Sequence, residues 1–448
     1  MSAHVYLDHA ATTPLRDEVR DAWLEAQSVL GNASSIHGAG QRARRALEDA
    51  RERLAAVLGC QPIEVVLTSG GTESVSLALQ GLWRRRAPGA DGIVLPDGEH
   101  HASLDTVEWL AKREGARVTP VALDPWGRID PDAFREALRV GSTGEELRDR
   151  VPHPGADPSR RDDAGDVPPA GVGGRDVASP ILVARQAPVS DGRDGGAGPF
   201  ARAALATALV AANETGTLND ATGLARAAAE AGVPLHLDAV AALGHAPVAF
   251  DLWRGGAEPG VGLVAMSVSG HKIGAPVGTG ALVVSRTIDI EPLLHGGGQQ
   301  RGLRSGTQDI AGAAALARAA ELAEAERGAE TERLWGLRHR FLARLGRDMP
   351  EAVVLGHPDD RLPGTIHLHL PGASGESLLF LLDQRGISVS TGSACQAGVA
   401  EPSHVVMALG YGQAEASQVL RISFGRTTTS ADVDALAEAL PEAYRRLV

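Results

Sequence analysis

The stretch LVAMSVSGHK, residues 263–272, leads from an apolar run directly into a lysine. Its first half, Leu263–Ser267, is a short apolar run of the kind that forms a buried strand. The IGAPVGTG that follows at 273–280 is rich in Gly and Pro and predicts a turn. The SGH before Lys272 can supply contacts to a phosphate group. The stretch therefore predicts a strand whose end presents an amine beside an anion site.

The composition gives Lys272 further weight. All but two of the 43 basic residues are arginines, and the two lysines are Lys112 and Lys272. Arginine stays protonated and delocalised, so it cannot form a Schiff base. A lysine Schiff base with pyridoxal phosphate is the chemistry that needs an amine at this place. Lys112 lies in a predicted helix and is interpreted as an ordinary surface residue.

Strands and helices alternate along the first part of the chain. Apolar residues recur at helical spacing in the helices, and short apolar or β-branched runs predict the strands. The alternation predicts an α/β fold with a mainly parallel sheet, in which ligands collect at the carboxyl ends of the strands. The predicted strands are 64–68, 92–95, 117–123, 205–212, 234–237, 263–267 and 280–284, and the predicted helices are 38–58, 73–85 and 101–114.

The chain after residue 310 has a different pattern. Residues 311–347 are rich in Ala, Leu, Glu and Arg and predict one long helix. Short strands are predicted after it, at 365–370, 388–390 and 419–424, followed by a final helix that Thr429 or Ser430 could cap. We expect a large domain over 16–310 and a smaller α+β domain formed by 1–15 and 311–448.

Residues 141–198 interrupt the regular pattern. They are dense in Gly, Pro, Asp and Arg and contain no aromatic residue. Structureless stretches of this length are uncommon inside compact domains. We expect a disordered surface insertion, because loops accept extra length cheaply; a functional lid is the alternative.

Composition also excludes several classes of protein. Two cysteines in 448 residues cannot build a disulfide framework, and no metal-binding spacing of cysteines occurs. The first residues, MSAHVYLDHAATTP, do not have the pattern of a signal peptide, and no apolar run reaches the length of a membrane helix. The net charge of −13 argues against broad nucleic-acid binding. We expect a cytoplasmic protein without a metal site.

Three more motifs could surround a phosphorylated ring. TSGGTE at 68–73 lies at a strand-to-helix junction, where a helix N-terminus can bind an anion; many ordinary turns look alike. Asp238 ends the strand of HLD and could pair with a pyridinium nitrogen; it could also be a turn residue. One imidazole of Glu99-His100-His101 could stack on the ring and move protons, although an isolated His pair is more often structural.

The two cysteines have different surroundings. Cys395 lies in STGSACQAG at 390–398, where small, flexible residues predict an accessible and reactive thiol. Cys60 follows the apolar end of a predicted helix and is interpreted as structural.

Together these residues resemble the cysteine desulfurases of the aminotransferase class V family, and in particular an actinobacterial-type member of group I, which serves iron–sulfur cluster assembly and tRNA thiolation. The resemblance covers 1–140 and 203–448. It implies the fold-type I architecture of pyridoxal-phosphate enzymes, with a mainly parallel seven-stranded sheet and a smaller domain carrying the catalytic cysteine loop. The motifs are YLDHAATTP (6–14), GNASSIHGAG (31–40), TSGGTES (68–74), EHHASLDT (99–106), ANETGT (212–217), HLDA (236–239), SGHK (269–272), HGGGQQRGLRSGT (295–307), STGSACQAG (390–398) and LRISFGR (420–426).

The resemblance implies a role for each matching residue. Lys272, His100 and Cys395 would be catalytic: Lys272 would hold the cofactor and act as a base, His100 would stack on its ring and transfer protons, and Cys395 would take the sulfur. Arg421, helped by Asn32, would bind the substrate carboxylate. The implied cofactor-binding residues are Gly71, Thr72, His100, Asn213, Asp238, Ser269, His271, Lys272 and Thr307.

The implied reaction converts L-cysteine to L-alanine and leaves a persulfide on Cys395. The persulfide would pass to a sulfur-acceptor protein, such as an iron–sulfur scaffold or a tRNA-thiolating enzyme. Thr307 resembles a residue that reaches the cofactor phosphate of a neighbouring subunit, which implies a homodimer. No direct contact with nucleic acid or membrane is expected.

One position departs from the family pattern. Where the family has D-A-x-Q, this chain has Asp238-Ala239-Val240-Ala241, so the glutamine that would contact the cofactor's phenolic oxygen is absent. We expect weaker tuning of the cofactor without loss of its attachment. The alternatives are a selenocysteine lyase or another eliminating enzyme of the same fold, and a degenerate homologue that serves as a sulfur-transfer scaffold.

Overall fold

A seven-stranded sheet forms the centre of the larger part of the protein. The computed structural model describes residues 4–139, 202–392 and 401–448. The strands of this sheet are β2 (Val65–Thr68), β3 (Ala90–Pro96), β4 (Arg117–Val121), β5 (Arg202–Leu209), β6 (Pro234–Asp238), β7 (Gly262–Ser269) and β8 (Gly280–Val284). Their order across the sheet is β2-β8-β7-β6-β5-β3-β4, and all neighbouring strands are parallel except β8, which is antiparallel to both β2 and β7. The predicted α/β fold with a mainly parallel seven-stranded sheet is confirmed.

Apolar cores cover both faces of this sheet. Strands β7 and β8 are buried along their whole length, as expected of strands covered on both sides. Neighbouring residues point to opposite cores: Ile93 and Leu205 belong to one, Val94 and Ala206 to the other. The helices around the sheet are α1 (Asp17–Gln27), α2 (Gly38–Leu58), α3 (Gly71–Arg84), α4 (His101–Glu114), α5 (Pro131–Arg139), α6 (Ala221–Glu230) and α7 (Phe250–Arg254).

A further core, separate from the two on the large sheet, lies around a smaller antiparallel sheet. Strand β10 is its centre, with β9 and β12 at its sides, and β1 pairs in parallel with β11 nearby. The strands are β1 (Val5–Tyr6), β9 (Val353–Leu355), β10 (Thr365–His369), β11 (Ile387–Ser388) and β12 (Val419–Ser423), and the helices are α8 (Ile310–Asp348), α9 (Gly375–Asp383), α10 (His404–Ala408), α11 (Gln413–Ala416) and α12 (Ser430–Arg445).

The long helix α8 contributes side chains to a core of the large sheet and to the core of the small sheet. Its first half, from Ile310 to Ala323, packs into the core of the large sheet. Its second half supplies Leu334 and Phe341 to the core of the small sheet. The division into a domain over 16–310 and a domain formed by 1–15 and 311–448 stays a prediction.

Element boundaries agree with the sequence in most places. The helices 38–58 and 101–114 and the strand 280–284 are as predicted, and Thr429 caps the last helix. The strand predicted over 205–212 is wrong by three residues at each end, since β5 spans Arg202–Leu209 and the apolar residues after it turn towards the strand-end loop. None of the described helices is both long and apolar enough to cross a membrane. The proposed insertion 141–198 and Cys395 lie outside the described residues.

Candidate active site

Four predicted site residues lie just where strands of the large sheet end. Asp238 ends β6, and Lys272 closes the single 3₁₀ turn that follows β7. Asn213 follows β5, and His100 caps α4 after β3. In parallel sheets the carboxyl ends of neighbouring strands share one edge, so these four groups converge there.

Lys272 has the environment of a reactive amine. Its Nζ donates a hydrogen bond to the carbonyl oxygen of Ala10. Burial, and next the nearby charge of Arg421, lower the pKa of Lys272 to about 8 against the opposing charges of Asp8 and Asp238. A larger fraction of the amine is therefore neutral near pH 7 than for a lysine in water, and the neutral amine is the nucleophile. Lys112, by contrast, pairs with Glu108 on the surface of α4.

Asp238 is buried and held by the backbone. Its Oδ1 accepts a hydrogen bond of 2.8 Å from the Val240 N–H. Burial raises the pKa of Asp238 to about 6, against the lowering effects of the Val240 hydrogen bond and of the Lys272 charge. The carboxylate is thus mostly ionised at neutral pH and can hold a proton on a ring nitrogen placed against it.

Glu99 is a second buried carboxyl beside Asp238. Burial, and next the charge of Asp238, raise the pKa of Glu99 to about 8, so it is mostly protonated at pH 7. Its Oε1 accepts a 2.7 Å hydrogen bond from the N–H of Leu209, which fixes the end of β5. This role of Glu99 could not be predicted from the sequence, because its neighbours Leu209 and Asp238 belong to other strands.

His100 is a neutral imidazole at the head of α4. Its Nδ1 accepts a 3.0 Å hydrogen bond from the N–H of Ala102, so the ring proton resides on Nε2. Burial and the charge of Lys272 lower the pKa of His100 to about 4. The neighbouring His101 turns away from this site and meets the ring of His404 edge-on, with centroids 4.9 Å apart.

The start of α3 forms an anion cradle. Gly70, at φ +151°, lies close to the backbone of Gly280. A Cβ built on Gly280 would stand 2.6 Å from the Cα of Gly70. A Cβ on Gly71 would stand 2.7 Å from a methyl group of Val240. The Ser269 hydroxyl beside them is buried and has no hydrogen-bond partner among the described residues. Free N–H groups of a helix start and an unpaired hydroxyl together suit a phosphate.

Arg421 on β12 points at the same site from the smaller sheet. The residue is only 5% exposed. Nη2 lies 3.0 Å from Asp8 Oδ1, and Nη1 donates a 3.1 Å hydrogen bond to the carbonyl oxygen of Asn213. Asp8 belongs to a motif found in the sequence, yet its pairing with Arg421 could not be foreseen, because 413 residues separate them.

The remaining predicted residues are placed less directly. Asn32 Oδ1 accepts a hydrogen bond from the N–H of Ser34 in its own loop, and no hydrogen bond in the described part of the chain joins it to Arg421. Thr307 is exposed shortly before α8. Thr72 is exposed in the first turn of α3, and burial lowers the pKa of His271 to about 4.

Cys60 is a shielded thiol. It is partly buried against the core of the large sheet, and burial raises its pKa to about 12. Such a thiol is almost entirely protonated at neutral pH and is a poor nucleophile. This agrees with its interpretation as structural.

His236 offers a test of the strand that carries Asp238. It is fully buried, with its Nδ1 2.9 Å from Thr207 Oγ1 and its Nε2 2.8 Å from Ser267 Oγ. Burial lowers its pKa from 6.5 to about 3. Between about pH 6.5 and pH 3 the unfolded chain is protonated at His236 and the folded protein is not. The free energy of unfolding should therefore fall as the pH drops below about 6.5.

Chemical denaturation between pH 7 and pH 4 measures this contribution. His236→Gln should give a shallower fall than the unmodified protein, whereas His339→Gln, at an exposed site on α8, should not change the slope. An unchanged slope in His236→Gln would mean that His236 is not a buried neutral group.

Comparison with known proteins shows the family to which this chain belongs. The model of the aminotransferase class-V family matches residues 5–143 and 201–436. The chain belongs to the aminotransferase class V family. An IscS-like cysteine desulfurase of Mycobacterium tuberculosis is 40% identical, over 98% of this chain and 96% of that protein.

Solved structures resemble nearly the whole chain. A NifS-like protein matches with a TM-score of 0.77 and 26% identity, over 99% of this chain and 100% of that one. A structure described as SspA in complex with cysteine matches with a TM-score of 0.67 and 26% identity, over 94% of this chain and 98% of that one. The predicted resemblance to desulfurases of this family is confirmed.

The site also fits the cofactor expected of this class V member. Ser269 Oγ and Asn213 Oδ1 are buried polar atoms without a partner among the described residues, and both face the site. Gly71 has no space for a side chain, and the first N–H groups of α3 have no partner within the helix. The cradle therefore suits a phosphate, Asp238 suits a pyridine nitrogen, and Asn213 suits a phenolic oxygen.

Ala241 leaves space where the class V pattern has glutamine. It is half-buried and borders a cavity that also touches Lys272 and Asn213 and extends to His245 and Glu330. His245 lies at the carbonyl of Lys272, with its Nε2 3.3 Å from that oxygen. The missing side chain thus leaves the neighbourhood of Lys272 more open, without disturbing Lys272 itself.

Proposed function

We propose that this protein is a pyridoxal-phosphate-dependent cysteine desulfurase. It converts L-cysteine to L-alanine and transfers the sulfur to Cys395 as a persulfide. The observation that carries the proposal is Lys272, a partly buried amine of lowered pKa at a strand end, with Asp238 and Arg421 close enough to influence its charge. The 40% identical desulfurase over nearly the full chain supports the same activity.

Pyridoxal phosphate, when bound, supplies a conjugated ring that accepts electrons from the substrate's α-carbon. Lys272 would hold the cofactor and then serve as the base that moves the α-proton. Asp238 would keep the ring nitrogen protonated, and Asn213 would contact the phenolic oxygen. The phosphate would be held by the residues of the cradle and its surroundings: Gly71, Thr72, Ser269, His271 and, from a second subunit, Thr307.

His100 and Arg421 would act on the substrate side. His100 would stack on the cofactor ring and offer its Nε2 proton, since its Nδ1 is engaged by the backbone. Arg421 would bind the substrate carboxylate through its planar fork of N–H donors, with help from Asn32. Asp8 holds Arg421 in the meantime, so a substrate carboxylate would have to compete with that ion pair.

Cys395 would complete the sulfur transfer. The C–S bond of cysteine breaks and an S–S bond forms at the Cys395 sulfur. The substrate β-carbon gains a proton and becomes the methyl group of alanine, so carbon is reduced as sulfur is oxidised and no outside oxidant is needed. We further propose a cytoplasmic homodimer that delivers this sulfur to an acceptor protein, such as an iron–sulfur scaffold or a tRNA-thiolating enzyme.

Alanine and sulfide assays with L-cysteine test the proposal. The purified protein supplied with pyridoxal phosphate should release alanine, and sulfide in the presence of a thiol reductant. Cys395→Ala should lose alanine release from L-cysteine, whereas Cys60→Ala should keep it. Full alanine release by Cys395→Ala would indicate an eliminating lyase, and no cofactor colour in the unmodified protein would indicate a scaffold.

Restoring the family glutamine tests the role of Ala241. In Ala241→Gln the amide would reach into the cavity beside Lys272 and gain one hydrogen bond to the bound cofactor. One such bond contributes about 0.5–1.5 kcal/mol, so the cofactor should dissociate about 2–10 times more slowly. Loss of cofactor absorbance during dialysis measures this rate. Ala87→Gln, at an exposed position, is the control, and equal rates for the two variants would show that the contact has no effect.

A further inference from the structure

A buried arginine holds the loop that carries Asn213. Arg361, only 3% exposed, lies between β9 and β10. Its Nη2 donates a 2.6 Å hydrogen bond to the carbonyl oxygen of Thr215, two residues after Asn213. The same nitrogen donates a 2.8 Å hydrogen bond to the carbonyl oxygen of Thr365 at the start of β10. The guanidinium thus joins the loop after β5 to the small sheet.

Every hydrogen bond that this guanidinium makes within the described residues goes to the backbone. Nη1 donates hydrogen bonds of 3.2 Å and 3.1 Å to the carbonyl oxygens of Leu355 and His357. Burial, and next the charge of Arg338, lower the pKa of Arg361 to about 9, so the guanidinium stays charged at neutral pH. A buried charge is costly unless hydrogen bonds compensate it, so these contacts favour one position of the side chain.

The backbones of the two segments are also joined directly. The N–H of Leu362 donates a 2.8 Å hydrogen bond to the carbonyl oxygen of Gly216. Thr217 pairs with Arg361 in an antiparallel bridge. The contacts therefore extend over consecutive residues of both segments, and the loop cannot leave the small sheet without breaking them.

Arg421 holds the same loop from the substrate side. Its Nη1 donates a hydrogen bond to the carbonyl oxygen of Asn213. A substrate carboxylate would compete for this guanidinium, as it would for the ion pair with Asp8. Arg361 is buried and bonded to the backbone, so its contact with the loop can persist while Arg421 is engaged by substrate.

We propose that Arg361 is a positioning residue for the cofactor. By fixing the carbonyl group of Thr215, it holds the side-chain amide of Asn213 where that amide meets the phenolic oxygen of bound pyridoxal phosphate. Asn213 lines the same cavity as Lys272, so a shift of the loop would alter this contact. A hydrogen bond donated to the phenolic oxygen stabilises its ionised form, so the cofactor releases its proton at a lower pH. This inference rests on the proposed function.

Hydrogen exchange tests the hold on the loop without any cofactor. In the cofactor-free Arg361→Met protein, the amide hydrogens of residues 212–218 should exchange at least about tenfold faster, because the loop loses a contact with the small sheet. Arg338→Met is the matched control. Arg338 is equally buried and donates a 2.9 Å hydrogen bond to the same Thr365 carbonyl oxygen, but no hydrogen bond in the described part of the chain joins it to the loop. It should leave exchange over 212–218 unchanged.

The absorbance of bound pyridoxal phosphate tests the contact itself. The pH at which this absorbance changes should rise by about 0.4–1 unit in Arg361→Met and in Asn213→Ala, as expected for the loss of one hydrogen bond. The double variant should shift no further than Asn213→Ala alone, because both substitutions remove the same contact. Arg361→Lys keeps the charge and one donor group and should shift less than Arg361→Met. If Arg361→Met does not fold, Arg361→Lys decides through the same two measurements.

Four results separate the inference from its alternatives. Unchanged exchange over 212–218 in Arg361→Met overturns the positioning role, and so does equally faster exchange in Arg338→Met. Additive shifts in the double variant also overturn it, since Arg361 would then act on the cofactor by another route. If the unmodified protein binds pyridoxal phosphate but releases no alanine from L-cysteine, only the proposed function fails. If it is active and Arg361→Met matches it in both measurements, only the positioning role fails.

Discussion

Lys272→Ala should lower turnover of L-cysteine by on the order of 10³-fold or more, as removal of a residue that bonds covalently to the reacting system usually does. Alanine offers no amine to attach the cofactor and no base at the α-carbon. The burial that lowers the pKa of Lys272 to about 8 has no other evident use, since a buried lysine destabilises the fold unless its charge is satisfied.

Borohydride reduction followed by mass spectrometry checks this prediction directly. In the unmodified protein the cofactor should become permanently bonded to the peptide that contains Lys272, and in Lys272→Ala no peptide should carry it. Lys112→Ala is the matched control, because it removes the only other lysine, which pairs with Glu108 on the surface. Cofactor bonded to Lys112, or retained turnover in Lys272→Ala, would refute the assignment.

Arg421→Lys should raise KM for L-cysteine by about 10–100 times, the equivalent of losing one hydrogen bond between charged groups at about 1.5–3 kcal/mol. Lysine keeps the charge but loses the planar fork that can hold a carboxylate with two parallel hydrogen bonds. The shorter array of donors also cannot serve Asp8 and the Asn213 carbonyl together, as Nη2 and Nη1 of Arg421 do.

Steady-state kinetics with L-cysteine and the melting temperature of the loaded protein measure this effect. Arg347→Lys, at an exposed position on α8, is the control and should leave KM unchanged. A fall in melting temperature without a change in KM would mean that Arg421 only joins the small sheet to Asp8 and does not bind substrate.

The sequence predicts the parts of the site that depend on local order. The helix over 38–58 and the strand over 280–284 have the predicted bounds because their apolar spacing is unambiguous. Lys272, Asp238 and His100 could be singled out because each lies at the end of a strand or the start of a helix. Sequence order alone then brings them to one edge of a parallel sheet.

Other parts of the site depend on contacts between distant segments. Asp8 meets Arg421 only where the N-terminal segment pairs with β12, and Glu214 meets Ser403 across 189 positions of the chain. The end of β5 was misplaced because its apolar run continues to Ala212, while the carboxyl group of Glu99 and the paired Asp238 end the strand at Leu209. The hydrophobic periodicity of one segment cannot predict its contacts with a distant segment.

The pairing of β1 has a consequence for synthesis on the ribosome. Val5 and Tyr6 are synthesised nearly four hundred residues before their partners Ile387 and Ser388. Until then the carbonyl oxygen of Ala10 and the carboxylate of Asp8 have no fixed place near Lys272 and Arg421. The nascent chain can complete its large sheet first, and the site becomes whole only when β11 pairs with β1 and β12 brings Arg421 to Asp8.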